Sequence, residues 1–350
     1  MKKDTIKGQG AVYNIHNHFE KNRYEQSIYQ DDYEEDIAKT QIIEVFPKTI
    51  VNPVKSPDLS MAYSMNPYQG CEHGCAYCFA RPTHEYWGYS AGVDFERVIL
   101  AKKNAPDLLR KFFEKRGYKP EPILLSGNTD CYQPVERKMQ ITRKLLEVFL
   151  EYRHPVHILT KNALVTRDID VLTRLADKNL TSVSLSIPTI NENLRRQLEP
   201  RTSSAINKLK AIETLSANGI PVHIMVAPMI PGLNTMEILP IVKTIAEKGA
   251  TDFGYTLVRL NDAVEPVFKS WLQEHYPDRT DKVLHQIASM HGGKLGEKSV
   301  AKRKKGEGNI AEMIHTTFKV ARQKYFADKE IPKLTTELFD GTKGEQLRLF

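Results

Sequence analysis

The sequence predicts an α/β fold built on a parallel sheet with crossover helices, and three observations predict it. From Met61 onward, short apolar runs alternate with amphipathic stretches, the pattern of strands whose parallel neighbours are reached through helices. Six such runs precede residue 261, fewer than a closed eight-stranded barrel needs. Each run leads into a polar loop at its C-terminal end, which is where βα barrels carry their chemistry.

The first strand is expected at 61–65, ending at a cysteine-bearing loop. A helix follows from about Pro106, a residue suited to a first turn, with Leu108, Leu109, Phe112 and Phe113 at helical spacing. The next strand is read at 122–127, a long amphipathic helix at 135–152 and a strand at 156–161. The alternation continues with a helix at 168–179, a strand at 182–187 and a helix at 205–218 capped by Gly219. A strand at 221–227, a helix at 236–248 ending at Gly249 and a strand at 253–260 complete it. Helical segments are expected around 267–275, 281–290 and 310–326. The domain plan is an irregular N-terminal extension (1–60), the α/β domain (61–260), a C-terminal helical region with a basic loop (261–338) and a tail (339–350).

At 350 residues and 41% hydrophobic content the chain can bury a large core. No apolar run reaches membrane-spanning length, and the start Met1-Lys2-Lys3-Asp4 leads into a polar segment, so a cytoplasmic protein with no membrane partner is expected. Lys and Arg outnumber Asp and Glu by 50 to 43, a formal charge of +7 that favours a polyanionic partner such as nucleic acid. The basic loop from Lys294 to Gly306, with Lys298, Lys302, Arg303, Lys304 and Lys305, reads either as a phosphate clamp or as a solvated connector. The acidic run from Asp31 to Asp36 reads as a solvated face.

Three of the four cysteines, Cys71, Cys75 and Cys78, stand in a C-x3-C-x2-C pattern. Three thiolates with no fourth at matching distance fit a [4Fe–4S] cluster that leaves one iron open. A zinc site completed by His73 or His84, or thiols buried as small apolar groups, are the other readings. The turn context favours a bulky cluster: Asn66-Pro67-Tyr68-Gln69-Gly70 runs into Cys71, and Gly74 lies inside the loop.

Around this loop the polar strand ends supply candidates for holding a cofactor. Gly127, Asn128, Thr129 and Asp130 follow the second strand, Lys161 ends the third, and Ser184 and Ser186 share one face of the fourth. Arg201 follows the fourth strand, and Met229 or Ile230 after the fifth is placed to pack on an adenine ring. Bland alternatives exist for each: Thr129 and Asp130 as helix caps, Arg201 as a solvated cation, Pro228 to Gly232 as a turn.

C-x3-C-x2-C with an aromatic before the last Cys resembles the radical S-adenosylmethionine (SAM) superfamily. The wider run Asn66-Pro67-Tyr68-x-Gly70-Cys71-x-His73-Gly74-Cys75-x-Tyr77-Cys78-x-Ala80-Arg81 is similar to the branch related to spore photoproduct lyase, as are Thr129-Asp130-x-Tyr132-Gln133-Pro134, Leu159-Thr160-Lys161 and Glu199-Pro200. The resemblance implies a six-stranded partial (β/α)6 TIM-like barrel, which suits the strand count. It also implies a [4Fe–4S] cluster on Cys71, Cys75 and Cys78, SAM on the free iron, and an electron donor such as flavodoxin or ferredoxin. Cleavage of SAM then yields a 5′-deoxyadenosyl radical. Photoproduct lyases look to a cysteine just before the Thr/Ser-Asp element, and to tyrosines flanking the last cluster cysteine, as hydrogen-atom donors. Here Asn128 and Gly127 hold the preceding positions, Cys131 follows Asp130, and Phe79, which has no O–H, replaces the second tyrosine. Tyr77 and Cys131 are the remaining candidate donors, and Tyr77 also stands beside the expected cofactor.

The C-terminal Gln346-Leu347-Arg348-Leu349-Phe350 resembles the Gln-Leu-x-Leu-Phe peptide that docks bacterial replication and repair proteins on the sliding clamp. Leu347, Leu349 and Phe350 would fill apolar pockets while Gln346 hydrogen-bonds. The expected activity is therefore radical SAM chemistry on nucleic acid, with DNA lesion repair first. The rivals are modification of a peptide or other substrate, and a non-catalytic metal-binding module recruited to the clamp.

Overall fold

The computed structural model describes residues 8–19, 40–57, 61–300 and 302–341. In chain order the strands are β1 (Gln41–Val45), β2 (Val51–Pro53), β3 (Tyr63–Met65), β4 (Tyr68–Gln69), β5 (Val98–Lys102), β6 (Ile123–Leu125), β7 (Val156–Thr160), β8 (Thr181–Ser186), β9 (Val222–Met229) and β10 (Asp252–Leu257). The larger sheet has the order β10-β9-β8-β7-β6-β3-β2. Its six strands from β3 to β10 are parallel and coincide with the six expected from the sequence, while β2 pairs antiparallel to β3 at the edge. Among the described residues β10 does not pair with β2 or β3, so the curved sheet stays open as a partial barrel.

Alternation decides which face is which. Val156, Ile158, Val183, Leu185, Val222, Ile224 and Val226 join the apolar core with Leu172, Leu175, Ile212 and Ile241 of the covering helices. The intervening His157, Ser182, Ser184, Ser186, His223 and Met225 therefore face the hollow of the barrel. No helix among the described residues is long and apolar enough to cross a membrane.

Several elements differ from the sequence reading. The extension expected to be irregular contains β1, which pairs parallel to β5, itself bonded to the short β4 beside the cysteine loop. This satellite sheet escaped notice because β1 is mostly exposed and lacks a buried face. The single helix expected at 135–152 is two, Glu136–Met139 and Ile141–Glu151, broken at Gln140 with φ +51°. The break lets the Glu136 carboxylate accept from the backbone N–H of Thr142 at 3.1 Å, capping the second helix. A further helix, Glu192–Leu198, is capped by Asn191 and delivers Glu199 to the site.

Candidate functional site

The cysteine loop leaves β4 and ends at the short 3-10 helix Arg81–Trp87. Gly70 (φ +79°) opens it because a Cβ there would lie 2.4 Å from the Val98 carbonyl oxygen. Three neighbouring segments then bind its backbone. Gln133 donates to Gly70 O (3.1 Å) and accepts from Glu72 N–H (2.9 Å), while the Glu72 carboxylate accepts from Val135 N–H (2.5 Å). Ala76 N–H donates to Leu198 O (3.1 Å), and Arg201 N–H to His73 O (3.3 Å). Arg81, fully buried, donates to Cys75 O at 2.9 and 3.2 Å and pairs with Glu96 at 2.5 Å.

Cys71, Cys75 and Cys78 carry free thiols, two buried and the third half-buried. Burial pushes the Cys75 thiol up, with Glu199 next in weight and Cys78 and Cys71 adding to it; Cys78 is raised to about 11 by burial and then by Cys71. Cys75 and Cys78 thus each sense the charge of neighbouring sulfurs on the same loop. Among the described residues no three His, Cys, Asp or Glu side chains are gathered closely enough to hold a single metal ion. Of the fourth ligands the zinc reading names, His73 Nδ1 lies 3.3 Å from Asp130, and His84 stacks on Tyr89 at 5.2 Å with neither ring nitrogen hydrogen-bonded. A soft, all-sulfur donor set spread along a glycine-bent loop fits a four-iron cluster, whose thiolates sit on separate irons.

Beside the thiols lies a buried polar hub that the sequence reading only touched. Tyr77 donates its hydroxyl to Glu199, which also meets Lys208 at 3.0 Å and Lys161 at 3.6 Å. Burial alone would raise the Glu199 carboxyl, but Lys208 and Lys161 outweigh it and hold it at about 2. Burial likewise opposes the Lys161 ammonium, yet Glu199, Cys75 and Asp130 push its pKa up. Lys161 stands 5.8 Å above the Tyr77 ring, so the expected cation and aromatic do converge. Lys208 was missed. Its signal was present, for it occupies the inward stripe Ala205, Lys208, Ala211, Ile212, Leu215 of the helix Ala205–Ala217, where an ammonium requires a buried partner.

The 126–130 loop is stapled to the chain just before the cysteines. Asn66 Oδ1 accepts from Asn128 N–H (2.8 Å) and Thr129 N–H (3.3 Å), Thr129 Oγ1 donates to Tyr68 O (2.6 Å), and Gly127 lies against Ser64. Asp130 accepts from Tyr132 N–H (2.8 Å), Thr160 Oγ1 (2.7 Å) and Lys161 N–H (2.7 Å). Burial opposes its charge, but His73 and these donors hold its carboxyl below the ordinary range. Asp130 thus ties β7 to the cysteine loop through His73.

Other expected residues lie apart from this hub. Ser184 is bonded deep in the hollow between His157 (2.8 Å) and His223 (3.1 Å), and Ser186 lies one pleat nearer the strand ends, buried on the same face. Met229 is fully buried in the main core; Ile230 shares an apolar cluster with Cys75, Ala76 and Tyr77 instead. The Arg201 side chain turns to Thr40 (3.5 Å) and Gly8. Cys131 is buried in the main core, its Sγ 4.0 Å from Leu159 O, and burial followed by Asp130 raises its thiol. In the basic loop Lys298 pairs with Asp262 (2.9 Å) and Lys302 with Glu307 (2.8 Å), so part of its charge is met locally. The peptide Gln346 to Phe350 lies outside the described residues.

A trio of free thiols thus lies on a glycine-bent loop at the mouth of an open parallel βα barrel. The Radical SAM superfamily model matches residues 65–245, more than half of the chain, and the chain belongs to that superfamily. The superfamily uses a [4Fe–4S] cluster and SAM. An uncharacterized protein of Mycobacterium tuberculosis is 32% identical over 67% of this chain and 70% of its own length. One from Methanocaldococcus jannaschii is 31% identical over 72% and 90%. A radical SAM Nalpha-GlyT isomerase of Pseudomonas phage M6 is 27% identical over 52% of this chain and 36% of its own. Among solved structures, spore photoproduct lyase complexed with dinucleoside spore photoproduct shares the fold, with TM-score 0.62, 17% identity and 85% of each chain covered.

Proposed function

We propose that Cys71, Cys75 and Cys78 hold a [4Fe–4S] cluster, that SAM binds beside it at the strand ends, and that the enzyme acts on nucleic acid, with repair of a photoproduct-type DNA lesion as the leading reading. The observation that carries it is a loop of three free thiols, Cys71, Cys75 and Cys78, whose Tyr77 joins the buried Glu199–Lys161 hub. When bound, the cluster supplies the electron that cleaves SAM to methionine and a 5′-deoxyadenosyl radical.

The chain's own residues do the positioning. Lys161 offers a cation at the third strand end for the SAM carboxylate, with Gly127, Asn128, Thr129 and Ser186 around the same mouth. Asp130 acts through His73 and the Lys161 backbone, keeping loop and lysine in register. Tyr77 stands beside the thiols with its hydroxyl donating to Glu199; as a hydrogen-atom donor it would surrender that hydrogen, proton and electron together, to the product radical and be left as a tyrosyl radical. Cys131, directed into the core, is the weaker donor.

Nucleic acid is supported by the dinucleoside photoproduct bound in the similarly folded lyase, by the formal charge of +7 and by the basic loop. A flavodoxin or ferredoxin is the proposed electron donor, and the cytoplasm the proposed compartment. The test is anaerobic reconstitution followed by SAM turnover with defined damaged and intact oligonucleotides. Expected are 5′-deoxyadenosine and a mass change confined to the damaged strand. SAM cleavage with no affinity for any oligonucleotide at low salt would move the substrate to another class, and iron uptake without SAM cleavage would reduce the protein to a binding module. For the tail, deletion of residues 346–350 should abolish binding to a purified sliding clamp and leave iron content unchanged; retained binding rejects the docking peptide.

A further inference from the structure

Residues 10–15 form neither helix nor strand, yet they are bound along one side of the cysteine loop. Gly10 and Ala11 donate their backbone N–H groups to the two oxygens of Glu96, at 3.0 and 2.8 Å. The same carboxylate receives Arg81 at 2.5 Å, and that guanidinium also holds the carbonyls of Cys75, Ala91 and Gly92. Glu96 and Arg81 are 1% and 0% exposed, so the bridge from strap to loop is dry, where charge-assisted bonds are strong.

Shape reinforces charge. A Cβ on Gly10 would lie 1.8 Å from the Gly74 carbonyl oxygen, and one on Gly92 would lie 2.2 Å from the carbonyl oxygen of Tyr13. Only glycine admits backbone that close. Further along, Asn14 and Asp94 exchange two hydrogen bonds (2.7 and 2.9 Å), as do Ile15 and Ser90 (both 2.7 Å). A segment with no secondary structure of its own is thus seated by contacts aimed at 74–76 and 90–96.

We propose that this N-terminal strap is a positioning element of the cofactor centre: Gly10 and Glu96 set the path of the loop at Gly74 to Ala76, and the three cysteines take up a cluster only with the strap seated. The inference rests on the cluster reading above. A cluster held by three points along eight residues tolerates displacements of only about half an ångström, so a loop free on its outer side would load poorly and exchange ligands readily.

The test uses the full chain, reconstituted anaerobically, as wild type, Gly10→Ala and Glu96→Gln. For Gly10→Ala, iron per chain should fall by at least about threefold and backbone amide exchange over 71–78 should quicken about tenfold, with the melting transition close to wild type. For Glu96→Gln, which keeps the side-chain shape, a cluster should form with an altered electron paramagnetic resonance spectrum when reduced, a change that loss of overall stability does not produce. Wild-type iron content, spectrum and amide exchange in Gly10→Ala would overturn the proposal. If wild type itself takes up no iron, the cluster reading fails on its own, and amide exchange over 71–78 still decides: unchanged exchange in Gly10→Ala overturns the strap's role, and faster exchange upholds it.

Discussion

Two histidines, each with 1% or less of its surface exposed, stand at the two ends of β7 in opposite states, His154 just before its start and His73 beside Asp130, which bonds Thr160 at its end. At the cysteine loop, burial works to neutralise His73, yet Asp130 and Cys71 raise it to about 10 and keep it a cation. Behind the sheet, His154 is packed among Phe113 (4.3 Å), Tyr118, Phe149 and Phe339 with no carboxylate beside it, and burial lowers it to about 3. Its neutral ring is satisfied, with Nδ1–H donating to Pro155 O (2.9 Å) and Nε2 accepting from the Tyr118 hydroxyl (2.8 Å). Burial alone therefore does not decide charge; the partner does. The site region spends stability on held charges, whereas the aromatic region derives stability from excluding them.

The contrast breaks most visibly at Asp130. Asp130→Asn strands a buried cation at His73 and should cost about 3–5 kcal/mol in denaturant unfolding of the metal-free chain. A loss below about 1 kcal/mol would mean that His73 is neutral in the fold. At His154 the sign is set by a folded pKa of about 3 lying below the ordinary 6.5. The unfolded chain binds the proton first, so this stabilisation is complete above pH 6.5 and is lost as pH falls through about 3. On the order of a few kcal/mol is at stake across that window, and His154→Phe should remove this part of the acid sensitivity in unfolding measured from pH 7 to 3. The exposed pair Lys298–Asp262 provides the baseline, since water screens it. Lys298→Ala should change stability by less than about 1 kcal/mol. If the basic loop contacts phosphate, the same change should flatten the dependence of log affinity on log salt by about 0.7 for single-stranded DNA.

These particulars also mark where local sequence stops being informative. The six parallel strands were legible because each has a run of apolar residues of the right length between turn signals. The cysteine loop was legible because its three sulfurs lie within eight residues of one another. β1 was not, because a mostly exposed strand pairing with β5 across more than fifty intervening residues leaves no periodic trace. Ser184 was read as a cofactor contact because spacing gives its face, but not that His157 and His223 arrive from neighbouring strands to engage it. Met229 and Ile230 were equivalent as letters; the turn after β9 sends one into the main core and the other against Tyr77.

By itself, then, the sequence determined the alternation of elements, the open parallel sheet and the sulfur trio, all properties encoded within windows of a few to about twenty residues. Only the tertiary structure decided that Glu199 and Lys208 meet Tyr77, that Asp130 charges His73, and that residues near the N-terminus bind the cysteine loop. Those contacts join positions tens to more than a hundred residues apart, and their energies arise from desolvation and charge pairing that exist only once the chain has closed around them.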